Sequence, residues 1–311
     1  MDINSYKRDL LSDAFNAYNA KVSLLKKDFI QKVKNSPKNR VIYEKLLAKH
    51  NVFVNELTKQ YNKQINNIKH LNFISGVTNN NTFDASAKKK GLLIGINYRY
   101  ASNKLYGCIN DVISMENKLR NTYGFTSFNV LTDDTINKPT VHNILAELSN
   151  IFNTSNAGDT IVIHFSGHGT SAGHLVALDG CINGADFNRI ICDNLKDNVK
   201  VLVILDCCHS SSVMDLKYNL DAVNMNILET KEHIVVLSGC KSNESSLESY
   251  IDRLPQGLMT WSLLESLNKN SRISWRDLII NMRALLSHSI FSQVPQICSG
   301  KRLDFDSEFY L

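Results

Sequence analysis

Apolar positions follow two different rhythms, and the change between them divides the chain. Over residues 1–75, Leu11, Phe15, Val22, Leu25, Phe29 and Val33, then Ile42, Leu46, Leu57, Tyr61, Ile65 and Ile68, recur at helical spacing. The stretch has no Gly and a single Pro, which sits in the turn signal Asn35-Ser36-Pro37-Lys38-Asn39 between the two series. A pair of antiparallel helices is predicted. Residues 76–90, GVTNNNTFDASAKKK, are polar and end in three lysines, the composition of a linker.

From residue 91 to 311 the rhythm becomes short apolar runs alternating with amphipathic stretches. The runs are GLLIGI at 91–96, FNVL at 128–131, TIVIHF at 160–165, KVLVIL at 200–205 and HIVVLS at 233–238. Between them, Ile109 to Tyr123, Thr140 to Phe152 and Gly257 to Leu267 carry helical spacing. Continuous apolar strands separated by helices predict an α/β fold, with a mostly parallel sheet covered by helices on both faces. In such folds chemistry collects in loops at the carboxyl ends of the strands.

Two strand ends hold the most reactive residues. TIVIHF runs into Ser166-Gly167-His168-Gly169, and KVLVIL runs into Asp206-Cys207-Cys208-His209-Ser210. The separation of His168 from Cys208 leaves room for one crossover that returns the chain to a neighbouring parallel strand. An imidazole and a thiol would then meet at the sheet rim. A free thiol is only a few per cent thiolate at neutral pH, so a nucleophilic Cys needs such a neighbour. Cys207 continues the buried run and reads as core, whereas Cys208 begins the loop and reads as the nucleophile. His168 would act as acid and base, and the backbone N–H groups of Gly169 and Cys208 would hold a developing oxyanion.

Composition narrows the setting. No apolar run approaches the length of a membrane-spanning helix, and MDINSYKRDLL lacks the order of a secretory signal. The seven cysteines, at 108, 181, 192, 207, 208, 240 and 298, follow no disulfide framework. A cytoplasmic, reducing setting is expected. Residues 1–90 hold 17 Lys or Arg against 7 Asp or Glu, and the remainder 18 against 23. The basic helices could meet nucleic acid or the acidic half of their own chain. Without aromatic interleaving or a recognisable module, nucleic acid is not expected as a partner.

HFSGHG at 164–169 and DCCHSS at 206–211 resemble the His and Cys motifs of metacaspases, the caspase-like cysteine peptidases that cleave after Arg or Lys. GLLIGINY at 91–98, GCINDV at 107–112, VMDLKY at 213–218, GLMTWSLLESL at 257–267 and VPQI at 294–297 resemble further family segments in the right order. The resemblance covers roughly residues 91–311 and implies a caspase-like fold. It puts the catalytic dyad on His168 and Cys208, and a pocket for the basic side chain on Cys108, Asp111, Ser166 and Asp206. Carboxylates there have their own rationale, since a buried Arg or Lys needs them to offset its desolvation. On position alone, Asp111 reads equally as a cap or dipole partner of its helix. The resemblance also implies protein or peptide substrates containing Arg or Lys, a monomer, and self-cleavage, for which Lys88, Lys89, Lys90, Lys241 and Arg253 are the candidates.

Many metacaspases bind calcium through several aspartates. Asp193 and Asp215 match two of those positions, but the next is Asn194, and the acidic insert after the His motif is reduced to TSAGHLVALDG. Calcium affinity rises as carboxylates accumulate, so weak calcium dependence or none is expected, and no cofactor is required. Zinc is a chemical rival through His164, His168, Cys207, Cys208 and His209, but adjacent Cys207 and Cys208 point apart on a strand and structural zinc ligands are spaced on tight turns. His164 and His209 read as packing or loop residues. The rival from another class is a catalytically silent scaffold that binds partners through the N-terminal helices.

Overall fold

A computed structural model describes residues 21–34, 40–69, 86, 88–208, 210, 213–214, 216–220, 223–239, 248–251, 254–287 and 293–311. They fall into two compact units. The first holds helix α1, over 21–34, and helix α2, Arg40–Lys69. The rings of Phe29 and His50 stack at 4.7 Å, so α1 packs on α2. The Asn35–Asn39 turn signal lies outside the described residues.

The second unit is built on a seven-stranded sheet in the order β2-β1-β3-β6-β8-β11-β7. Its parallel part comprises β1 Lys89–Gly95, β2 Ser127–Thr132, β3 Thr160–Ser166, β6 Lys200–Asp206 and β8 His233–Ser238. β11, Gln296–Ser299, runs antiparallel to β8, and β7, Tyr218–Asn219, antiparallel to β11. Two small hairpins lie outside the sheet: β4 His174–Val176 with β5 Cys181–Asn183, and β9 Glu248–Ile251 with β10 Leu254–Gly257.

Helices cover both faces, as the sequence predicts. On one side α4, Val141–Asn153, and α5, Gly184–Asp193, bury Ile144, Leu148, Phe152, Phe187 and Ile191 against Ile161, Ile163, Phe165, Val201, Val203 and Leu205. On the other, α3 Cys108–Tyr123, α6 Leu258–Lys269 and α7 Trp275–Ser287 bury Met115, Met259, Leu263, Trp275 and Met282 against Val162, Leu202 and Ile204. Each such apolar side chain contributes about 1.5–3 kcal/mol on leaving water. Alternation along β3 and β6 therefore sends odd-numbered residues towards α4 and α5, and even-numbered ones towards α3 and α6.

The strand β1 begins at Lys89, which corrects the linker boundary. Lys89 Nζ donates to the carbonyls of Tyr123 and Leu311 at 2.8 Å. Lys90 is fully buried, its Nζ 3.2 Å from Asp159 Oδ2 and donating to the Thr154 carbonyl at 2.6 Å. Both peptide units belong to a strand paired on two sides, so neither lysine stands in an extended segment open to cleavage. Lys88 is exposed, and its carbonyl accepts the Thr160 N–H at 2.8 Å. Lys241 and Arg253 lie outside the described residues. Among the described residues no helix is long and apolar enough to cross a membrane.

Candidate active site

β3 and β6 are immediate neighbours, and their last paired residues are Ser166 and Asp206. His168 and Cys208 each stand two residues past that pair, on adjacent strand tips. The two loops touch: a Cβ added to Gly169 would overlap the Cys208 carbonyl oxygen and lie 3.2 Å from Cys207 Sγ. Only glycine admits this approach. Cys207 is fully buried in the α4/α5 core, whereas Cys208 is half-buried at the rim. The six described cysteines form no disulfide.

His168 is held at several points. Its backbone N–H donates to Tyr98 Oη at 2.9 Å, its carbonyl accepts the Val176 N–H at 3.0 Å, and its ring stacks on Tyr98 at 4.6 Å. Nε2 lies 2.6 Å from the Asn103 carbonyl oxygen. A carbonyl cannot donate, so Nε2 carries the proton and Nδ1 is the nitrogen able to accept one. Gly169 bridges Leu175 between the Thr170-to-His174 and Val176-to-His168 backbone bonds, a pairing in which its own N–H takes no part. After Cys208 the chain is anchored by Ser210, whose Oγ accepts the Gly239 N–H at 3.1 Å. His209 and Ser211 lie outside the described residues.

On the α3/α6 side of the same rim lie Cys108, Asp111, Ser166 and Asp206, all buried. Asp111 stands in the first turn of α3 and reaches beyond its own helix. Its Oδ2 accepts from Ser166 Oγ at 2.7 Å, and its two oxygens accept the Gly257 N–H at 3.0 and 3.1 Å. Asp206 Oδ2 accepts the Thr260 N–H at 2.8 Å. Gly257 is the N-cap of α6 and has no side chain to satisfy the helix's first N–H groups. Two carboxylates from elsewhere in the chain do so instead, and the positive end of α6 favours their negative charge. The Pro255 carbonyl accepts from Asn110 Nδ2 at 3.0 Å, which fixes the approach to Gly257.

His164, one turn of the pleat before Ser166, is fully buried between α6 and the sheet. Its Nε2 lies 3.1 Å from Thr260 Oγ1, and among the described residues Nδ1 has no hydrogen-bond partner. Burial pulls its pKa from 6.5 down to about 3, so the ring is neutral. Asp193 ends α5 exposed to solvent, and the neighbouring Asn194 spends its amide on the Ile190 carbonyl at 2.7 Å. Asp215 lies outside the described residues. Among the described residues no group of three or more His, Cys, Asp or Glu side chains is placed to hold a metal ion.

Sequence reasoning does not single out Tyr98, Asn103 or Gly257 as parts of the site. Tyr98 closes the segment GLLIGINY, and an aromatic just past an apolar strand reads as core. Asn103 acts through its backbone, which carries no side-chain signal.

A Caspase domain model matches residues 88–305. The chain belongs to the caspase-domain family. Metacaspase-5 of Trypanosoma cruzi is 30% identical over 268 residues, covering 71% of this chain, which spans 60% of that relative's length. Metacaspase-1 of Meyerozyma guilliermondii is 25% identical over 308 residues, with 73% of each chain covered. Both relatives are named metacaspases, and the chain is similar to them at this level of identity. Among solved structures, caspase-1 from Spodoptera frugiperda superposes with a TM-score of 0.49 at 13% identity, covering 71% of this chain and 91% of that one.

Proposed function

We propose that this caspase-domain protein is, as its similarity to metacaspases suggests, a cysteine endopeptidase that cleaves peptide bonds after Arg or Lys. The observation that supports the specificity is the meeting of two buried carboxylates, Asp111 and Asp206, around Gly257 beside the tips of β3 and β6. A guanidinium or ammonium group entering there meets opposite charge and the Ser166 hydroxyl, whereas an acidic side chain meets repulsion.

Cys208 passes its thiol proton to His168 Nδ1, and the thiolate attacks the carbonyl carbon of the residue after which the chain is cut. The oxyanion is held by the N–H groups of Gly169 and Cys208. His168 then returns the proton to the leaving amine as the C–N bond breaks, which leaves a thioester. Water, losing a proton to His168, attacks the thioester; the acid departs and the thiol is restored. No step requires a metal. With a neutral amide at Asn194 in place of a carboxylate, beside Asp193 exposed at the end of α5, we take calcium to be dispensable. Self-processing at the three-lysine run falls on Lys88, whose side chain is exposed, and requires its carbonyl to leave the Thr160 N–H first.

The test is cleavage of matched fluorogenic peptides ending in Arg, Lys, Gln or Asp by the full chain, with and without calcium. Arg and Lys peptides should be cut and the others not, and Cys208→Ala should abolish cutting. Persistent activity in Cys208→Ala would remove the nucleophile from this reading.

A further inference from the structure

Tyr98 follows the end of β1, in the loop that leads to α3. Its backbone has φ of +50°, a region that bulky residues rarely occupy. Neighbouring bonds impose it: Asp133 accepts the Asn97 N–H at 2.6 Å and the Arg99 N–H at 3.3 Å, and the Tyr98 carbonyl accepts the Ala101 N–H at 2.8 Å. Strain of this kind, held in place by its surroundings, points to a function for the side chain it aims.

That side chain is buried under the His168 loop and closes a circuit of three hydrogen bonds. The His168 N–H donates to Tyr98 Oη at 2.9 Å, Tyr98 Oη donates to the Val176 carbonyl at 2.6 Å, and the Val176 N–H donates to the His168 carbonyl at 3.0 Å. Gly167 makes room for the phenol, since a Cβ there would lie 2.8 Å from Oη. The Tyr98 and His168 rings stack with 29° between their planes. The same loop supplies the Asn103 carbonyl to Nε2. One segment thus grips His168 by its backbone, by its ring face and by one ring nitrogen.

We propose that Tyr98 is the positioning residue for His168: its phenol fixes the loop backbone where Nε2 meets the Asn103 carbonyl, and so the tautomer that leaves Nδ1 for the thiol, and its ring fixes the plane of the imidazole. This rests on the peptidase reading above. The aromatic face also favours the imidazolium formed when the thiol gives up its proton. Burial raises the phenol's pKa far above its ordinary value, so the hydroxyl keeps the proton it donates to Val176. Phenylalanine would preserve the stack and remove the circuit; leucine would remove both.

The experiment uses Tyr98→Phe and Tyr98→Leu in the full chain. With an Arg peptide, Tyr98→Phe should lower kcat about tenfold with KM within about twofold, and Tyr98→Leu about a hundredfold. Histidine-selective NMR supplies a second readout, with the His168 ring signal assigned by its loss in His168→Ala. The wild type should show the Nε2–H tautomer, and Tyr98→Phe a mixture. Wild-type kcat with an unchanged tautomer in Tyr98→Phe overturns the proposal. So does a kcat loss matched by an equal loss of folded protein with the tautomer unchanged, which marks a merely structural role. If Tyr98→Leu does not fold, Tyr98→Phe decides alone. If the wild type cuts no Arg or Lys peptide, the peptidase reading fails, and the tautomer still decides whether Tyr98 positions His168.

Discussion

Gly257 and Asp206 stand so close that a Cβ on the glycine would overlap Asp206 Oδ2, and it would lie 2.8 Å from Asp111 Oδ2. Gly257→Ala must therefore push the two carboxylates out of place or move the start of α6. We expect kcat/KM for an Arg peptide to fall at least about a hundredfold, with a lowered melting temperature. Kinetics and a thermal melt on the same preparation check both. Wild-type activity would mean that the carboxylates do not bind substrate in this arrangement.

Charge and shape separate in Asp206→Asn and Asp111→Asn. The amide oxygen still accepts from Thr260 or Gly257, but the negative charge is gone. Cleavage of an Arg peptide should drop on the order of 10²–10³-fold relative to a matched Gln peptide. Alkylation of Cys208 by iodoacetamide should keep its rate, because the dyad is untouched. Equal losses on Arg and Gln peptides would contradict the pocket assignment.

His164 gives stability a pH dependence of known sign. The folded ring resists protonation until about pH 3, whereas the unfolded ring takes a proton near 6.5. The unfolded state therefore binds more protons between these limits. Stability contributed at neutral pH is lost as pH falls through that window, on the order of 4 kcal/mol in all. Urea titrations from pH 7 to 4 should show a shallower acid decline in His164→Leu than in the wild type. Parallel declines would refute the assignment.

Lys90 and Asp159 form a buried pair in which each is the other's charge partner at 3.2 Å. Lys90→Met leaves Asp159 buried without that cation and should cost about 3–5 kcal/mol. The double variant Lys90→Met with Asp159→Asn should recover part of the loss. Amino-terminal sequencing of any self-processed native chain should find no cut after Lys89 or Lys90.

The central strands were readable because burial on both faces leaves continuous apolar runs, and β1, β3, β6 and β8 begin and end within two residues of those runs. The helices α3, α4 and α6 were readable from their amphipathic period, but shorter or weakly patterned elements were not. α5 buries only Phe187 and Ile191 among its large side chains, too few to set a period. β4, β5, β7 and β11 are two to four residues long, too short to show a period, and β7 and β11 take their place from partners distant in sequence. The neighbourhood of His168 and Cys208 follows from strand order, which the crossover length already restricts. The grip of Tyr98 and Asn103 on His168 depends on how one loop folds back, and the double duty of Asp111 at the head of α6 on a contact across 146 positions. Neither leaves a local pattern in the chain.

Because the residues proposed to read the substrate's basic side chain also finish a helix, selectivity and folding share the same atoms. Redesign of the proposed specificity for a neutral or acidic cleavage site cannot exchange Asp111 and Asp206 alone. Each exchange for a residue without a side-chain oxygen strips the opening turn of α6 of an acceptor, so a workable redesign must supply new capping, for instance a serine or threonine side chain, from a position away from the two carboxylates.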